Sequence, residues 1–329
     1  MIYYKLIAVY FVLIGTILLI SKELDLVDIP ITRKLHKIKV INTSGIAIYI
    51  FVLIIVSIDE LSPQLETVIV YGSIIVFCGF IDDRINLSPG IKFFLTTFPI
   101  IYLIHIGFKV DNLGTYEFIG MIELGKFGFL FTALACSLLM HSYNYTDGID
   151  GLLLLTTLVS LVFGALLVSE DHSILKLISF LIIPIIVSLC INFLPNKSKF
   201  KMFVGDSGSL FLGFFISFFI IFLFKYKNVH PAILIWMVWY PVYDFLYVTI
   251  LRIKKKKKFY VADKAHTHHK LLKIFNNNHF KTSFLITSII ITITYFGYYI
   301  ANNIGKIFSL LAFILLFFLF SFIRKLYLN

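Results

Sequence analysis

Apolar residues run in long stretches along this chain, and polar residues gather in the short segments between them. The stretches are about as long as a membrane crossing requires, since roughly 20 apolar residues span the hydrocarbon core of a bilayer. Helices are the expected form, because they satisfy their own backbone hydrogen bonds and the alternating pattern of a membrane barrel is missing. The pattern predicts an all-α polytopic membrane protein, with one transmembrane domain over residues 1–329 and eleven spans: 3–20, 43–58, 66–81, 91–108, 127–143, 149–168, 173–194, 207–224, 231–251, 282–300 and 304–323.

Composition excludes a water-soluble globule. Hydrophobic residues make up 59% of the chain and charged residues 14%, against roughly 45–50% and about 25% in soluble domains. Cys78, Cys136 and Cys190 lie in apolar stretches without metal-ligating spacing, and they are interpreted as packing residues. The first stretch has no basic segment before it and no cleavage site, which indicates a first transmembrane helix.

The net charge of +11 could suggest nucleic-acid binding, but its distribution along the chain favours a topological origin. Alternate connections, together with the C-terminal tail, hold 22 of the 29 Lys and Arg residues. The positive-inside rule then predicts an external N-terminus and a cytoplasmic C-terminus. The opposite connections carry acidic residues without a repeated motif, which are interpreted as hydrophilic turns. Every Asp, Asn and His cluster lies on the basic side, so a cytoplasmic active site is predicted and no nucleic-acid partner is expected.

Two carboxylate clusters follow the third and fifth spans. Asp82 and Asp83 are adjacent at a helix end near the hydrocarbon boundary, where they repel each other unless a cation or donor compensates them. Asn144, Asp147 and Asp150 are spaced three apart, so on a helix they would share one face. Each cluster has a structural alternative: a solvated helix end for the first, and an Asn/Asp/Gly turn for the second.

A glycine-flanked aspartate, Asp206, precedes the eighth span in the sequence Phe203-Val204-Gly205-Asp206-Ser207-Gly208-Ser209. At a helix N-terminus this residue could hold a hard cation while backbone N–H groups contact phosphate oxygens. An ordinary N-cap is an equally good interpretation of the segment.

The last basic connection carries Lys254 to Lys258 and then His266, His268 and His269. Five lysines at a membrane edge are typical of a topological anchor that also favours anionic lipid. The histidines lack a fourth soft ligand for zinc and suit phosphate contact better. Asp244, inside the ninth span, is either functional, as intramembrane carboxylates usually are, or pairs with a loop Arg or Lys.

Together, these motifs resemble the polyprenyl-phosphate N-acetylhexosamine-1-phosphate transferases of glycosyltransferase family 4. The resemblance consists of Asp-Asp after span three, Asn-x-x-Asp-Gly-x-Asp-Gly after span five, Gly-Asp-x-Gly-Ser before span eight and Asp-x-x-His-x-His-His after span nine. It extends from the Asp28-Ile29-Pro30 segment to about Leu272. The His-x-His-His form is similar to the bacterial undecaprenyl-phosphate GlcNAc-1-phosphate transferase branch, whereas the peptidoglycan branch has three consecutive histidines.

The resemblance implies a phosphotransferase that moves N-acetylhexosamine 1-phosphate, first of all GlcNAc 1-phosphate, from a UDP-sugar to undecaprenyl phosphate. The reaction would release UMP at the cytoplasmic face of a bacterial plasma membrane. The implied cofactor is Mg²⁺, with Mn²⁺ as the alternative, and the implied partners are the two substrates, membrane lipids and, as an open question, a second copy of the chain. The implied residues are Asp206 and Asn144 for the metal; Asp82, Asp83, Asp147, Asp150, His266, His268 and His269 for catalysis; and Phe203, Asp150 and Arg84 for the nucleotide sugar.

The chain departs from the family pattern in two places. After His36, the usual Pro, Pro, Arg and Gly-Gly are replaced by Lys39, Ile41, Asn42 and Ser44-Gly45, and His141 stands where a first Asn is common. The sugar therefore stays open, with UDP-MurNAc-pentapeptide as an alternative donor. The rival classes are a multipass transporter and an enzyme of phospholipid head groups. Transporters place charges near the bilayer midplane, whereas here they gather at one face.

Overall fold

The computed structural model describes residues 2–28, 39–58, 62–258 and 264–327, and most of them are helical. Short π- or 3₁₀-helical turns at Ile104–Phe108, Gly125–Phe127 and Ile235–Met237 adjoin the longer helices. The α-helices are α1 (Ile2–Glu23), α2 (Ser44–Ile58), α3 (Pro63–Ile85), α4 (Pro89–Leu103), α5 (Gly128–Thr146), α6 (Leu152–Leu167), α7 (His172–Asn192), α8 (Gly205–Lys227), α9 (Pro231–Leu234), α10 (Trp239–Lys254), α11 (Thr267–Ile274), α12 (His279–Asn303) and α13 (Lys306–Tyr327).

Two small antiparallel sheets accompany the helices. Strands β1 (Val27–Asp28) and β2 (Val40–Ile41) form one, and β3 (Asn112–Tyr116) and β4 (Gly120–Glu123) form a hairpin. The hydropathy pattern missed the hairpin and predicted only a hydrophilic turn there. Its reversal depends on Phe118 and Gly120, which both have φ of 73°. Such a left-handed turn leaves no periodic signal in the sequence.

Seven helices of the described ranges are long and apolar enough to cross a membrane, or eight if the pair α9–α10 counts as one span. The chain is thus an all-α, multi-pass membrane protein, as the sequence predicts. Each predicted span coincides with a helix or with the α9–α10 pair, but α2 and α6 have only 15 and 16 residues, and α9 and α10 are bent by 74° at Val238. The count of eleven stays a prediction.

Helix α8 lies at the centre of the bundle, with 89% of its most apolar window buried. It packs against α2, α3, α5 and α6. Apolar side chains project from all around it, which is the pattern of a helix enclosed by others rather than facing solvent or lipid on one side. The fully buried aromatic side chains of this helix are Phe211, Phe214, Phe215, Phe218, Phe219 and Phe222.

Glycines allow α8 to contact its neighbours through backbone atoms. A Cβ on Gly79 of α3 would lie 2.4 Å from the amide nitrogen of Ser207, and one on Gly45 of α2 would lie 2.3 Å from the Cα of Gly208. Real Cβ atoms do not approach backbone so closely, so these positions require glycine. The close approach places the first turn of α8 against the last two turns of α3.

A second apolar cluster joins α10, α12 and α13, and includes Trp239, Tyr243, Ile286 and Ile290. Helix α13 lies at the edge of this cluster, with only 6% of its most apolar window buried. Its first turn is held by Glu117 of the hairpin loop, whose carboxylate accepts hydrogen bonds from the amides at residues 306 and 307, each at 2.8 Å. Glu117 therefore caps α13 from a distant part of the chain.

The contact between α3 and α8 predicts that Gly79→Ala destabilises the protein by about 1–3 kcal/mol, the usual cost of overpacking. The new methyl group meets rigid backbone at Ser207, so the two helices must separate. Thermal unfolding in detergent measures the effect. Gly15→Ala is the control, because a Cβ there meets nothing within 4 Å; equal unfolding midpoints for the two variants would contradict the assigned packing.

Candidate active site

Four helix ends meet at one end of the bundle and bring their polar residues together. The C-terminal turns of α3 and α5 carry Asp82, Asp83 and Asn144, and the N-terminal turn of α8 carries Asp206. Lys92 comes from the first turn of α4. Residues separated by more than a hundred positions therefore form one cluster.

Asp83 binds the N-terminus of α8. Its carboxylate accepts hydrogen bonds from the Asp206 amide at 3.0 and 3.2 Å and from the Ser207 amide at 3.5 Å. The first amides of a helix have no partner inside the helix and carry partial positive charge, so a carboxylate is favoured there. Asp83 thus caps α8 from α3 and fixes the position of Asp206.

Lys92 bridges the other two carboxylates, a contact that sequence reasoning missed. Its ammonium group donates to Asp82 Oδ2 at 2.8 Å and also to Asp206 Oδ2. Asp82 Oδ1 accepts a hydrogen bond from the Leu87 amide at 2.7 Å. The sequence does mark Lys92 as unusual, because it is the single cation of a helix that is otherwise apolar in its first turns.

Asn144 completes the surroundings of Asp206. Its side-chain amide donates to Asp206 Oδ1 at 3.0 Å and to Ser209 Oγ at 2.8 Å. These are the two residues that the family resemblance implies as metal ligands, and the structure brings them into contact. Asp206 therefore has Lys92 on one carboxylate oxygen and Asn144 on the other.

Asp150 belongs to a neighbouring part of the site. Its carboxylate accepts a hydrogen bond from the buried ammonium of Lys201 at 2.6 Å, and its backbone amide donates to Nδ1 of His279 at 3.1 Å. An open cavity beside Asp150 is lined by these two side chains and by Phe193, Asn277 and Phe280. Neither Lys201 nor His279 was identified from the sequence, because each stands outside the motifs.

Asp147 lies within electrostatic range of both Asp206 and Asp150. Burial raises the pKa of its carboxyl to about 8, and the charges of Asp206 and Asp150 act in the same direction. The next residue, Gly148, contacts the histidine segment, since a Cβ there would lie 2.2 Å from Nε2 of His268. Because Gly148 has no side chain, the turn that carries Asp147 and Asp150 can lie directly against the histidines.

The histidine segment is organised by Asp244. Asp244 Oδ2 lies 2.7 Å from Nδ1 of His266, and Oδ1 accepts hydrogen bonds from the amide and hydroxyl of Thr267. The sequence left open whether Asp244 pairs with a loop cation; the cation it contacts is Arg324 of α13, at 2.9 Å. The His266 ring also stacks on Tyr145 of α5, with ring centres 5.2 Å apart.

His268 and the free nitrogen of His266 have unsatisfied hydrogen-bonding capacity. Both ring nitrogens of His268 and Nε2 of His266 are buried without a partner among the described residues. Burial lowers the pKa of His268 well below its usual value, and the neighbouring His269 acts in the same direction. Buried polar atoms without partners are costly and rare in folded proteins, so these three nitrogens point to a polar ligand.

Other predicted residues lie at the edges of this site or outside the described ranges. Arg84 donates to the backbone carbonyls of Asp25 and Leu24 at 2.9 and 3.4 Å, and is not brought to the carboxylate cluster. The ring of Phe203 lies 5.5 Å from the Lys201 ammonium, beside the Asp150 part of the site. Asp263 and His36, which belong to the motif predictions, are outside the described residues.

The possible metal ligands here, the carboxylates of Asp82 and Asp206 and the amide oxygen of Asn144, are oxygen atoms, which suit a hard divalent cation rather than a soft one. Within the described ranges, no three His, Cys, Asp or Glu side chains are grouped as a metal cluster. The Lys92 ammonium, however, already lies between Asp82 and Asp206. The position is therefore one where positive charge is favoured.

Carboxylates, cations and imidazoles collected at one end of a membrane helix bundle define a membrane-embedded enzyme. The family model described as glycosyl transferase family 4 matches residues 65–224, which include Asp82, Asn144, Asp147 and Asp206. The chain is similar to this family over that region, and its predicted class as a transferase is confirmed.

Curated relatives support the assignment. A Bacillus subtilis (strain 168) protein named "Probable undecaprenyl-phosphate N-acetylglucosaminyl 1-phosphate transferase" is 29% identical over 262 residues. The undecaprenyl-phosphate alpha-N-acetylglucosaminyl 1-phosphate transferases of Escherichia coli (strain K12) and Yersinia pestis are 26% and 27% identical. Each match covers 77% of this chain and 71% of the relative.

The raised pKa of Asp147 predicts a pH-dependent stability. Between the ordinary carboxyl pKa, about 4, and pH 8, the unfolded chain is ionised at this group while the folded protein keeps the proton. The Asp147 carboxyl therefore contributes most to the free energy of unfolding at low pH, and this contribution is lost as the pH rises to 8. Asp147→Asn should therefore raise the thermal midpoint relative to wild type, and the difference should grow from pH 5 to pH 8.

Asp25→Asn provides the matched control for this measurement. The Asp25 side chain is exposed and lies 3.5 Å from Lys39, and its positive φ suits asparagine. The Asp25→Asn protein should follow wild type across the pH range. A difference between Asp147→Asn and wild type that does not change with pH would contradict the raised pKa.

Proposed function

We propose that the protein transfers N-acetylglucosamine 1-phosphate from UDP-N-acetylglucosamine to undecaprenyl phosphate and releases UMP. The observation that carries the proposal is the convergence of Asp82, Asp83, Asp206 and Lys92 at one helix junction. Joining a phosphorylated lipid to a nucleotide sugar brings several negative charges together, and the catalyst must align and neutralise them. The family and the names of the relatives support the same reaction.

The reaction does not require a general base. The second pKa of a phosphate monoester is near 6, so the lipid phosphate is mostly a dianion at neutral pH and can attack the β-phosphorus of the UDP-sugar directly. Both carboxylate groups of the Asp pair already have partners: Asp82 binds Lys92 and the Leu87 amide, and Asp83 binds the amides of α8. We therefore assign them to positioning rather than to proton abstraction.

Cations and imidazoles supply the contacts to phosphate. Lys92 is placed to contact a phosphate oxygen when it releases one carboxylate. Nε2 of His266 and both ring nitrogens of His268, which have no hydrogen-bond partner among the described residues, could also contact phosphate oxygens. Asp244 lies beside Nδ1 of His266, which leaves Nε2 as the ring nitrogen that can face the phosphate of the departing UMP.

The donor set supports a Mg²⁺ ion, with Mn²⁺ as the alternative, bound by Asp206 and Asn144. Such an ion would supply Lewis-acid stabilisation of the phosphoryl oxygens. The residues of the chain hold the ligands in place: Asp83 fixes the N-terminus of α8, and Ser209 accepts a hydrogen bond from Asn144. We assign the nucleotide to the cavity beside Asp150, where Phe203 and Lys201 lie close to each other.

We further propose an external N-terminus, a cytoplasmic C-terminus and eleven crossings, with α2, α5, α6 and the α9–α10 pair completing the set. The distribution of Lys and Arg supports a cytoplasmic site in a bacterial plasma membrane. Assembly as a homodimer stays a prediction from the family resemblance.

The direct experiment is release of UMP by purified protein supplied with undecaprenyl phosphate and a panel of UDP-sugars. UDP-N-acetylglucosamine should give the highest turnover. Asp206→Asn should abolish it at saturating Mg²⁺ without altering folding, because an amide lacks the charge that binds the cation and Lys92. The control is Asp111→Asn, which changes an exposed carboxylate outside the Asp206 cluster. This variant should retain wild-type turnover. Wild-type turnover in Asp206→Asn would refute the metal assignment.

Reversibility provides a second prediction. The reaction consumes one pyrophosphate linkage and creates another, so its equilibrium constant should lie within a few factors of ten of unity, each factor being about 1.4 kcal/mol. Labelled UMP should therefore exchange into UDP-sugar when lipid-linked product is present, and exchange should need Mg²⁺ and Asp206. A hydrolase would release sugar phosphate without exchange, and a transporter would do neither. Absence of exchange in a preparation that forms lipid-linked sugar would contradict the proposed bond cleavage.

A further inference from the structure

Arg324 is an unusual residue for the helix that carries it. Most of α13 is exposed at the edge of the bundle, yet Arg324 near its C-terminal end is 2% exposed. A guanidinium group is expensive to remove from water unless partners satisfy it. Its burial in an otherwise peripheral helix therefore requires a specific set of contacts.

Those contacts are with the histidine segment and the carboxylate that organises it. One guanidinium nitrogen donates to Asp244 Oδ1 at 2.9 Å, and the other donates to the backbone carbonyl of Ala265. The guanidinium carbon also lies 4.2 Å from the centre of the Tyr247 ring. Arg324 thus links α13, α10 and the residue immediately before His266.

Asp244, which Arg324 contacts, is itself bonded to two residues of the histidine segment. Its Oδ2 contacts Nδ1 of His266 at 2.7 Å and its Oδ1 accepts a hydrogen bond from the Thr267 amide at 2.9 Å. The carboxylate is 5% exposed as a side chain, so removal of Arg324 would leave its buried charge without the guanidinium that neutralises it. Ala265, His266 and Thr267 are each fixed through Arg324 or through the carboxylate it neutralises.

We propose that Arg324 is a positioning residue that holds the histidine segment in its reactive arrangement, so that α13 is part of the active-site framework. The proposal rests on the proposed function and extends it to a helix outside the region matched by the family model. Arg324 acts through Asp244 and the Ala265 carbonyl, and it orients Nε2 of His266 toward the substrate phosphates. A residue that acts through another in this way should change turnover more than substrate binding.

The test compares Arg324→Met, Arg324→Lys and the control Lys325→Met, which changes the exposed cation next to Arg324. Turnover and KM for UDP-N-acetylglucosamine are measured for each purified protein. Arg324→Met should lose about tenfold or more in kcat with a smaller change in KM, since small misplacements of catalytic groups can cost about a hundredfold. Arg324→Lys should recover part of the loss, because an ammonium retains a charge near Asp244. Lys325→Met should match wild type.

A double-mutant cycle with His266→Asn separates positioning from general damage. If Arg324 acts through His266, Arg324→Met should cost less than about twofold in the His266→Asn background, because residues that act as a unit are not additive. Equal losses in the two backgrounds would overturn the proposal, as would wild-type kcat in Arg324→Met.

Hydrogen–deuterium exchange provides a measurement independent of activity. Arg324→Met and Arg324→Lys should exchange faster in residues 264–274 than wild type while α6 stays unchanged. Unchanged exchange in that segment would overturn the proposal even if turnover falls. Failure of wild-type protein to release UMP would refute the proposed function, whereas the exchange experiment would still report whether Arg324 holds the segment.

Discussion

Repulsion among three carboxylates at a membrane boundary is the constraint on which the rest of the site depends. Asp82, Asp83 and Asp206 lie close together in partly buried positions, so each needs a positive partner. Lys92 serves two of them, and the partial charge at the start of α8 serves the third. The helices can supply these partners only at backbone contact, which is why Gly79 faces the first turn of α8.

The carboxylate and amide residues of this site were predictable from the sequence, and the lysines that pair with them were not. Asp82, Asp83, Asn144 and Asp206 stand in short motifs, and helical spacing alone suggested that neighbours such as Asn144 and Asp147 belong together. Their cations are single residues on remote segments: Lys92 is 114 positions from Asp206 and Lys201 is 51 from Asp150. No local pattern marks such pairs, and a lone lysine at the end of a span looks like a topological signal.

The fold shows the same division. Length and apolarity are local properties, so every predicted span coincides with a helix or with the bent α9–α10 pair. The bend at Val238 and the hairpin of β3 and β4 depend on single backbone conformations and on tertiary contacts, which hydropathy does not record. The family resemblance and the transferase class were accessible because four motifs in order carry more information than any one of them.

Helix α13 is held at each end by a polar contact and packs between its ends against the apolar cluster of α10 and α12. Glu117 holds its first amides, and Arg324 lies in the protein interior near its other end. Its 22 residues extend about 33 Å at 1.5 Å per residue, close to the thickness of a hydrocarbon core. A free helix adapts to a thicker or thinner bilayer by tilting. A helix fixed at both ends cannot tilt alone, so hydrophobic mismatch is transmitted to its end contacts. Lipid chain length thereby becomes a variable to which the geometry around His266 responds.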